Sequence, residues 1–294
     1  MKLLPPVTVL FSSMMLLSGC KTISDYSVPL PTPFLTNADV FTLKQPGPLL
    51  TDKAYEQQSG PYAVSQMDIS WASTEKRTQA PGDSAVDTVI NLLFADIDQQ
   101  VLRHTIQQRQ EYKFTSGNGT LNTQVYCRLQ SHSVQQEEIP RGEDKPSSVD
   151  GGHSPDTRGA ERQHTQLGCV LTQGDRQWQL SLKLQQQQEP VLTLQSGNDR
   201  YQLSGIHHSL QKIDNQWQQV PDIGVNFQGL QISNQGQPLA ALSLPGKTPK
   251  IWLGRQLTAE QQNILFAASY SIQMMNWLDR DWRIDESHGF HQQW

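Results

Sequence analysis

The side chains best suited to nucleophilic or metal chemistry in this 294-residue chain are eight histidines and three cysteines, and their spacing decides what they could do. His207 and His208 are adjacent, so on a regular strand they would face opposite sides and could not share one metal ion; they read as a turn or a partly exposed pair. His288 and His291 have a ligand-like i, i+3 spacing, yet Gly289 and the nearby end of the sequence predict a frayed tail. His132, His153 and His164 lie in a polar stretch, widely separated, where they amount at most to a loose metal-binding tract. The run Asp279 to Glu286 pairs carboxylates with Arg280 and Arg283, and alternating signs of this kind predict a solvated, mutually paired surface. Gln185 to Gln188 reads as a solvating loop. The chain has no G-x-S-x-G elbow, no phosphate loop, no G-x-G-x-x-G and no H-E-x-x-H. This pattern nominates no catalytic residue, no cofactor and no resident metal.

The N-terminus is more specific. Lys2 gives a charged start, an apolar run follows from Val7 to Leu17, and the run ends in Leu17-Ser18-Gly19-Cys20. It is too short to cross a bilayer as a mature helix. Leu-Ser-Gly-Cys resembles the lipobox of bacterial lipoprotein signal peptides. The resemblance implies that residues 1–19 are removed and that Cys20 becomes the acylated first residue. It further implies several acyl chains and so a stable membrane anchor. Lys21 stands where an inner-membrane retention signal would have Asp, which implies an outer-membrane protein facing the periplasm. Residues 20–60 are rich in Pro, Thr, Ser and Asp, with Pro29, Pro31 and Pro33 closely spaced, and are expected to form an extended tether.

With Cys20 assigned to lipid, Cys127 and Cys169 remain, in a compartment where the export resemblance allows disulfides to persist. Leu121 to Leu129 and Leu167 to Leu171 alternate apolar and polar residues, and each cysteine falls on its apolar face. If these strands pair antiparallel, the two sulfurs meet across the ladder. A pair of free buried thiols is the alternative. The intervening residues 131–166 contain few aliphatic side chains and are expected to be a disordered insertion at a hairpin tip.

The elements that must position these residues follow from periodicity. Val86, Ile90, Leu93, Ile97, Val101 and His104 recur at helical steps, predicting a helix from Ser84 to about Gln107. Strands are expected at 112–115, around both cysteines, and over 178–184, 191–195, 201–206, 225–232 and 239–244, joined by short Gly- and Asn-rich turns. Thr258-Ala259-Glu260-Gln261 matches a capping box. The segment from Ile264 to Leu278 then has almost no polar side, which predicts a helix enclosed by the sheet. The fold class is α+β: an antiparallel β-meander or barrel-like sheet around an apolar C-terminal helix, with one further helix. The hairpin Gly229 to Leu242 with the helix through Leu278 resembles the Tubby C-terminal-like superfamily, which includes LURP-one and phospholipid-scramblase domains, and implies a barrel closed around that helix. No phosphoinositide-binding residue carries over to a matching position. The expected domain spans 61–280, with a tail over 281–294.

A formal charge of −5 offers no surplus of cations to neutralise a phosphate backbone, so no nucleic-acid partner is expected. The 39 glutamines stand mostly opposite apolar positions on strands, where they solvate in place of charge and hold the charged fraction to 17%. The function read from these features is a non-catalytic binding or scaffolding domain anchored in the envelope, with an envelope protein as possible partner. A carrier or sensor for lipid or another apolar ligand is the alternative, and an envelope hydrolase the third reading.

Overall fold

The computed structural model describes residues 23–44, 56–79, 99–140, 161–185, 191–220, 227–244, 246 and 248–286. They form two antiparallel sheets and two helices. The large sheet is a nearly closed barrel. Its strands are β2 (Ala38–Thr42), β3 (Glu56–Ser59), β4 (Tyr62–Ile69), β5 (Ser73–Gln79), β6 (Gln99–Gly117), β7 (Asn122–Pro140), β8 (Glu161–Gln173) and β9 (Arg176–Gln185). The set is completed by β10 (Val191–Ser196), β11 (Asp199–Ile206), β14 (Gly229–Asn234), β15 (Gln237–Ser243) and β16 (Lys250–Gly254). From one edge the order is β2, β16, β15, β14, β11, β10, β9, β8, β7, β6, β4, β3, with β5 extending the pairing of β6 beyond β4. The second sheet is β1 (Ile23–Ser27) with the hairpin β12 (Ser209–Ile213) and β13 (Gln216–Val220).

Each turn carries the chemistry its geometry needs. Gly174, Gly197 and Gly236 have positive φ in two-residue links of the meander, and Asp214 and Asn215 both adopt positive φ in the β12–β13 turn. The two edges of the large sheet meet through side chains: Ser59 Oγ donates to the Thr42 carbonyl at 3.0 Å, and the Phe41 and Tyr62 rings lie edge to face at 5.1 Å.

The C-terminal helix α2 (Ala259–Glu286) fills the barrel. Thr258 and Gln261 cap it reciprocally. The Gln261 N–H donates to Thr258 Oγ1 at 3.2 Å, and the Thr258 N–H donates to Gln261 Oε1 at 3.0 Å. Every residue from Asn263 to Met275 is buried, because the sheet surrounds the helix and no face is left for solvent. Phe266 stacks on Tyr62 at 4.4 Å and Tyr270 meets Phe114 edge to face at 5.1 Å. Tyr112, on β6, donates its hydroxyl to the Ser271 carbonyl at 2.6 Å, and burial pushes its phenol well above the ordinary range.

Four expectations are corrected. The proposed tether over 20–60 is folded from Ile23 to Lys44 and again from Glu56. Pro31 precedes the short helix α1 (Thr32–Thr36), its carbonyl accepting from the Phe34 and Leu35 N–H groups at 3.0 and 3.1 Å, the first turn tolerates Pro33, and β2 pairs in register with β16. Val28, Phe34 and Ala38 pack on Ala241 and Trp252, forming a second small core outside the barrel. The composition is loop-like, but four buried apolar side chains, Leu43 in the main core being the fourth, and the β2–β16 ladder fix the segment. Gly229 records how close it lies: a Cβ there would meet Val28 Cγ1 at 2.8 Å and the Leu242 carbonyl oxygen at 2.5 Å. The predicted helix over 84–107 is contradicted from Gln99 onward, where β6 pairs residue by residue with β7 and, over Arg103–Arg109, with β5. Tertiary pairing overrides a helical period that rested on only two positions there, Val101 and His104; residues 84–98 lie outside the described set. The insertion over 131–166 is strand over 131–140 and 161–166, its Ser, Thr and Gln side chains being compatible with a ladder; 141–160 are outside the described residues. The tail over 281–294 is helical to Glu286 as a continuation of α2, and the domain accordingly begins at Ile23 instead of residue 61.

Candidate functional site

Cys127 and Cys169 stand directly opposite each other on β7 and β8 and are bridged, with Cα atoms 4.1 Å apart. They point into the barrel, at 0% and 5% exposure, in a row with Tyr112 on one side and Leu180 on the other. Enclosed in this way, the bridge is a cross-link of the core and offers no sulfur to a substrate. Cys20 lies outside the described residues.

The histidines divide. His132 and His164 face one another across β7 and β8 on the outer surface, rings stacked at 5.1 Å. Burial, then the neighbouring His132 and Lys183, lowers the pKa of His164. His207 and His208 sit in the link between β11 and β12 and belong to no strand. His153, His288 and His291 are outside the described residues, and no group of three or more His, Cys, Asp or Glu side chains among the described residues is placed to hold a metal ion. The backbone of Asp279 to Glu286 is helical. Gln185 ends β9, while 186–188 are not described.

The side chains that do converge were not singled out by motif. The turns β8–β9, β10–β11 and β14–β15 all fall at the barrel end where α2 begins, because those hairpins reverse there and α2 enters there. Between them lies a cleft of about 320 Å³ lined by Arg176, Trp178, Asp199, Tyr201, Glu260 and Gln261, with Asn234 and Gln235 at its rim. Trp178 and Tyr201 stack on each other at 5.3 Å, and the Arg176 guanidinium lies 4.5 Å over the indole. Arg176 also donates to Ser196 Oγ at 3.2 Å and is ion-paired with Asp199. Burial, the largest cause, raises the pKa of Tyr201, with Asp199 acting in the same direction; a hydrogen bond with Gln261 and the charge of Arg176 oppose them. The phenol is therefore a hydrogen-bond donor across the neutral range. Asp199 is engaged by Arg176, and the aromatic faces are turned to each other. What the cleft presents is a ring of amide, guanidinium, phenol and carboxylate groups, suited to hydrogen-bonding a polar partner.

Sequence reasoning missed this cleft because its residues come from three hairpins and a helix cap. The available signal was the capping box and the Gly-containing turns, all of which must meet at one barrel end once the meander closes. No known protein family, curated protein or solved structure matches the chain. No helix among the described residues is long and apolar enough to cross a membrane.

Proposed function

We propose that the chain is a lipid-anchored protein of the outer membrane, facing the periplasm, whose barrel is a non-catalytic binding or scaffolding domain. The observation that carries this reading is the occupancy of the barrel by α2. Leu265, Phe266, Ala267, Ala268, Tyr270 and Met274 are fully enclosed there, so the space a carrier would offer to lipid is taken by the protein's own side chains. Binding is left to the surface, where the cleft beside the α2 N-terminus supplies polar groups, Glu260 and the Arg176–Asp199 pair among them. The lipobox-like Leu17-Ser18-Gly19-Cys20 supports the anchor, and the meander closed around a C-terminal helix is the arrangement expected of a Tubby C-terminal-like domain.

Two measurements test it. Native mass spectrometry of the protein extracted from its membrane should detect the acylated polypeptide without a second, co-purifying lipid; stoichiometric extra lipid would favour the carrier. Proximity labelling in the intact envelope should mark a restricted set of neighbours, and Arg200→Glu at the cleft should reduce that labelling severalfold while membrane retention is kept. Labelling indifferent to the cleft would remove it as the binding surface.

A further inference from the structure

The folded segment that replaces the expected tether also fixes where an anchored membrane would lie. Only Lys21 and Thr22 separate Cys20 from Ile23, the first residue of β1. Three extended residue steps reach at most about 11 Å. Whatever surface surrounds the entry to β1 must therefore stand within roughly one headgroup layer of the bilayer.

That surface is defined by register. Ile23 pairs with Ile213, at the end of β12, so the chain enters beside the β12–β13 turn. Asp25 pairs with Lys212, which pairs in turn with Trp217 on β13. With adjacent strands about 4.8 Å apart, Trp217 lies roughly 10 Å from Asp25 across the sheet. Trp217 is 47% exposed, and every residue from Asp214 to Gln219 is exposed. Among the described residues no strand pairs with the far side of β13, which is an edge of its sheet. Lys250 braces the base of this small sheet: its ammonium pairs with Asp25 at 2.7 Å, donates to the Tyr26 carbonyl at 3.3 Å and lies 5.8 Å over the Trp217 ring. An indole with one exposed edge, held by a cation and surrounded by Gln and Asn, has the amphipathic character that places Trp at the headgroup level of membranes.

The sheet also sits at a definite end of the barrel. It joins the main body where β11 ends at Ile206, β14 begins at Gly229 and β16 begins at Lys250. The cleft occupies the opposite ends of the same strands, at Asp199, Asn234 and the α2 N-terminus. We propose that the β12–β13 hairpin is the membrane-resting face of the protein. In that arrangement Trp217 is immersed among the phospholipid headgroups that hold the Cys20 anchor, and the cleft is directed away from that leaflet. This inference rests on the acylation of Cys20.

The test uses the full-length protein purified from membranes and reconstituted in phosphatidylethanolamine–phosphatidylglycerol vesicles, with mass spectrometry of the same sample reporting acylation of Cys20. Vesicles containing phosphatidylcholine brominated near the headgroup quench tryptophans at the interface. The quenched fraction contributed by Trp217 is read as the difference between the wild type and Trp217→Phe. Trp71→Phe provides the reference, since Trp71 is 89% exposed on the β4–β5 corner of the main sheet. The expected result is at least a threefold larger lipid-quenched signal for Trp217 than for Trp71, with Trp217 correspondingly protected from aqueous acrylamide. An acylated protein in which Trp217 is as open to acrylamide as Trp71, and no more quenched by brominated lipid, overturns the hairpin's role while leaving the anchor intact. A protein found without acyl chains overturns both. Because Trp217 is a surface residue, its replacement by Phe leaves the fold in place, which circular dichroism of the same samples verifies.

Discussion

The two halves of the β6–β7 hairpin share one uninterrupted ladder but face two different interiors. Nineteen residues of β6 pair with β7, a ribbon of about 60 Å at 3.4 Å per residue. Near the turn, its inward residues are Phe114, Tyr112, Val125, Cys127 and Leu129, buried against α2 or the bridge, with the small Ser116 and Thr123 nearest the turn. Farther along, the inward positions are Gln110, Gln108, His104, Ser131 and Ser133, with Thr165 on β8. Gln110 donates to the Ser70 carbonyl at 2.9 Å and Ser131 donates to Gln108 at 3.3 Å. The backbone pairing is the same, but only the first half removes apolar surface from water. Stability should therefore be concentrated there, since a ladder bond exchanged for a bond to water contributes little by itself.

The largest expected effect tests the apolar half. Phe266 is fully buried and stacked on Tyr62, so Phe266→Ala should cost about 3–5 kcal/mol in urea unfolding through lost transfer energy and the cavity left behind. Next is the bridge. It closes a loop of 42 residues in sequence separation, for which the chain-entropy argument gives roughly 4 kcal/mol as an upper value. The double change Cys127→Ala with Cys169→Ala should lower the urea midpoint, and the same loss should follow reduction of the wild type. A loss below about 1 kcal/mol would mean that the ladder already restricts the unfolded chain.

A smaller effect of opposite sign is expected inside the apolar half. Gln273 is fully buried on α2, and neither amide atom finds a hydrogen-bond partner among the described residues. Replacing it with the unbranched, similarly sized Met removes that burden, so Gln273→Met should stabilise by about 1–2 kcal/mol. In the polar half, Ser131→Ala should change stability by less than about 1 kcal/mol, because one weak hydrogen bond is lost and Gln108 can turn to another partner. Hydrogen exchange reads the contrast directly: the amides around Tyr112 and Cys127 should open only with global unfolding, those around Gln108 and Ser131 by smaller local excursions. Equal protection along the whole ladder would abolish the distinction.

The same contrast explains what could be read from the sequence. The meander from β7 to β11, the pairing of the cysteine strands and the enclosed helix were all legible, because Leu, Val, Cys and Trp alternate with Gln, Ser and Lys there. The polar half was not, because Gln108, Ser131 and Thr165 face inward while carrying no hydrophobic signal: the sparse aliphatic residues of 131–166 read as unstructured, and on β6 the spacing of Val101 and His104 read as helix. Residues 23–44 failed in the same way. Their Pro and Thr content suggests a spacer, whereas Val28, Phe34 and Ala38 act through a surface patch on Trp252 that no local pattern announces. The cleft depended on the closure of the whole barrel, a relation among distant turns that spacing along the chain does not encode.

The smallest expected effect concerns the outer face of the polar half, where His164 stacks on His132. Burial first, then the charges of His132 and Lys183, depress its pKa below 6.5. The folded protein thus takes up this proton less readily than the unfolded chain. The stabilising contribution is complete above pH 6.5, diminishes as the pH falls below that value, and is lost once the pH passes the folded-state pKa. His164→Gln removes the titration. It should flatten the acid limb of the stability profile below about pH 6.5 and leave stability near pH 8 nearly unchanged. The location of the change matters as much as its size. If the polar half opens independently of the core, acid should first increase exchange of the β7 and β8 amides around His132 and His164, while the amides around Cys127 and Cys169 stay protected. If both sets weaken together, the two halves of the ladder unfold as one unit, and the division between their interiors is chemical without being energetic.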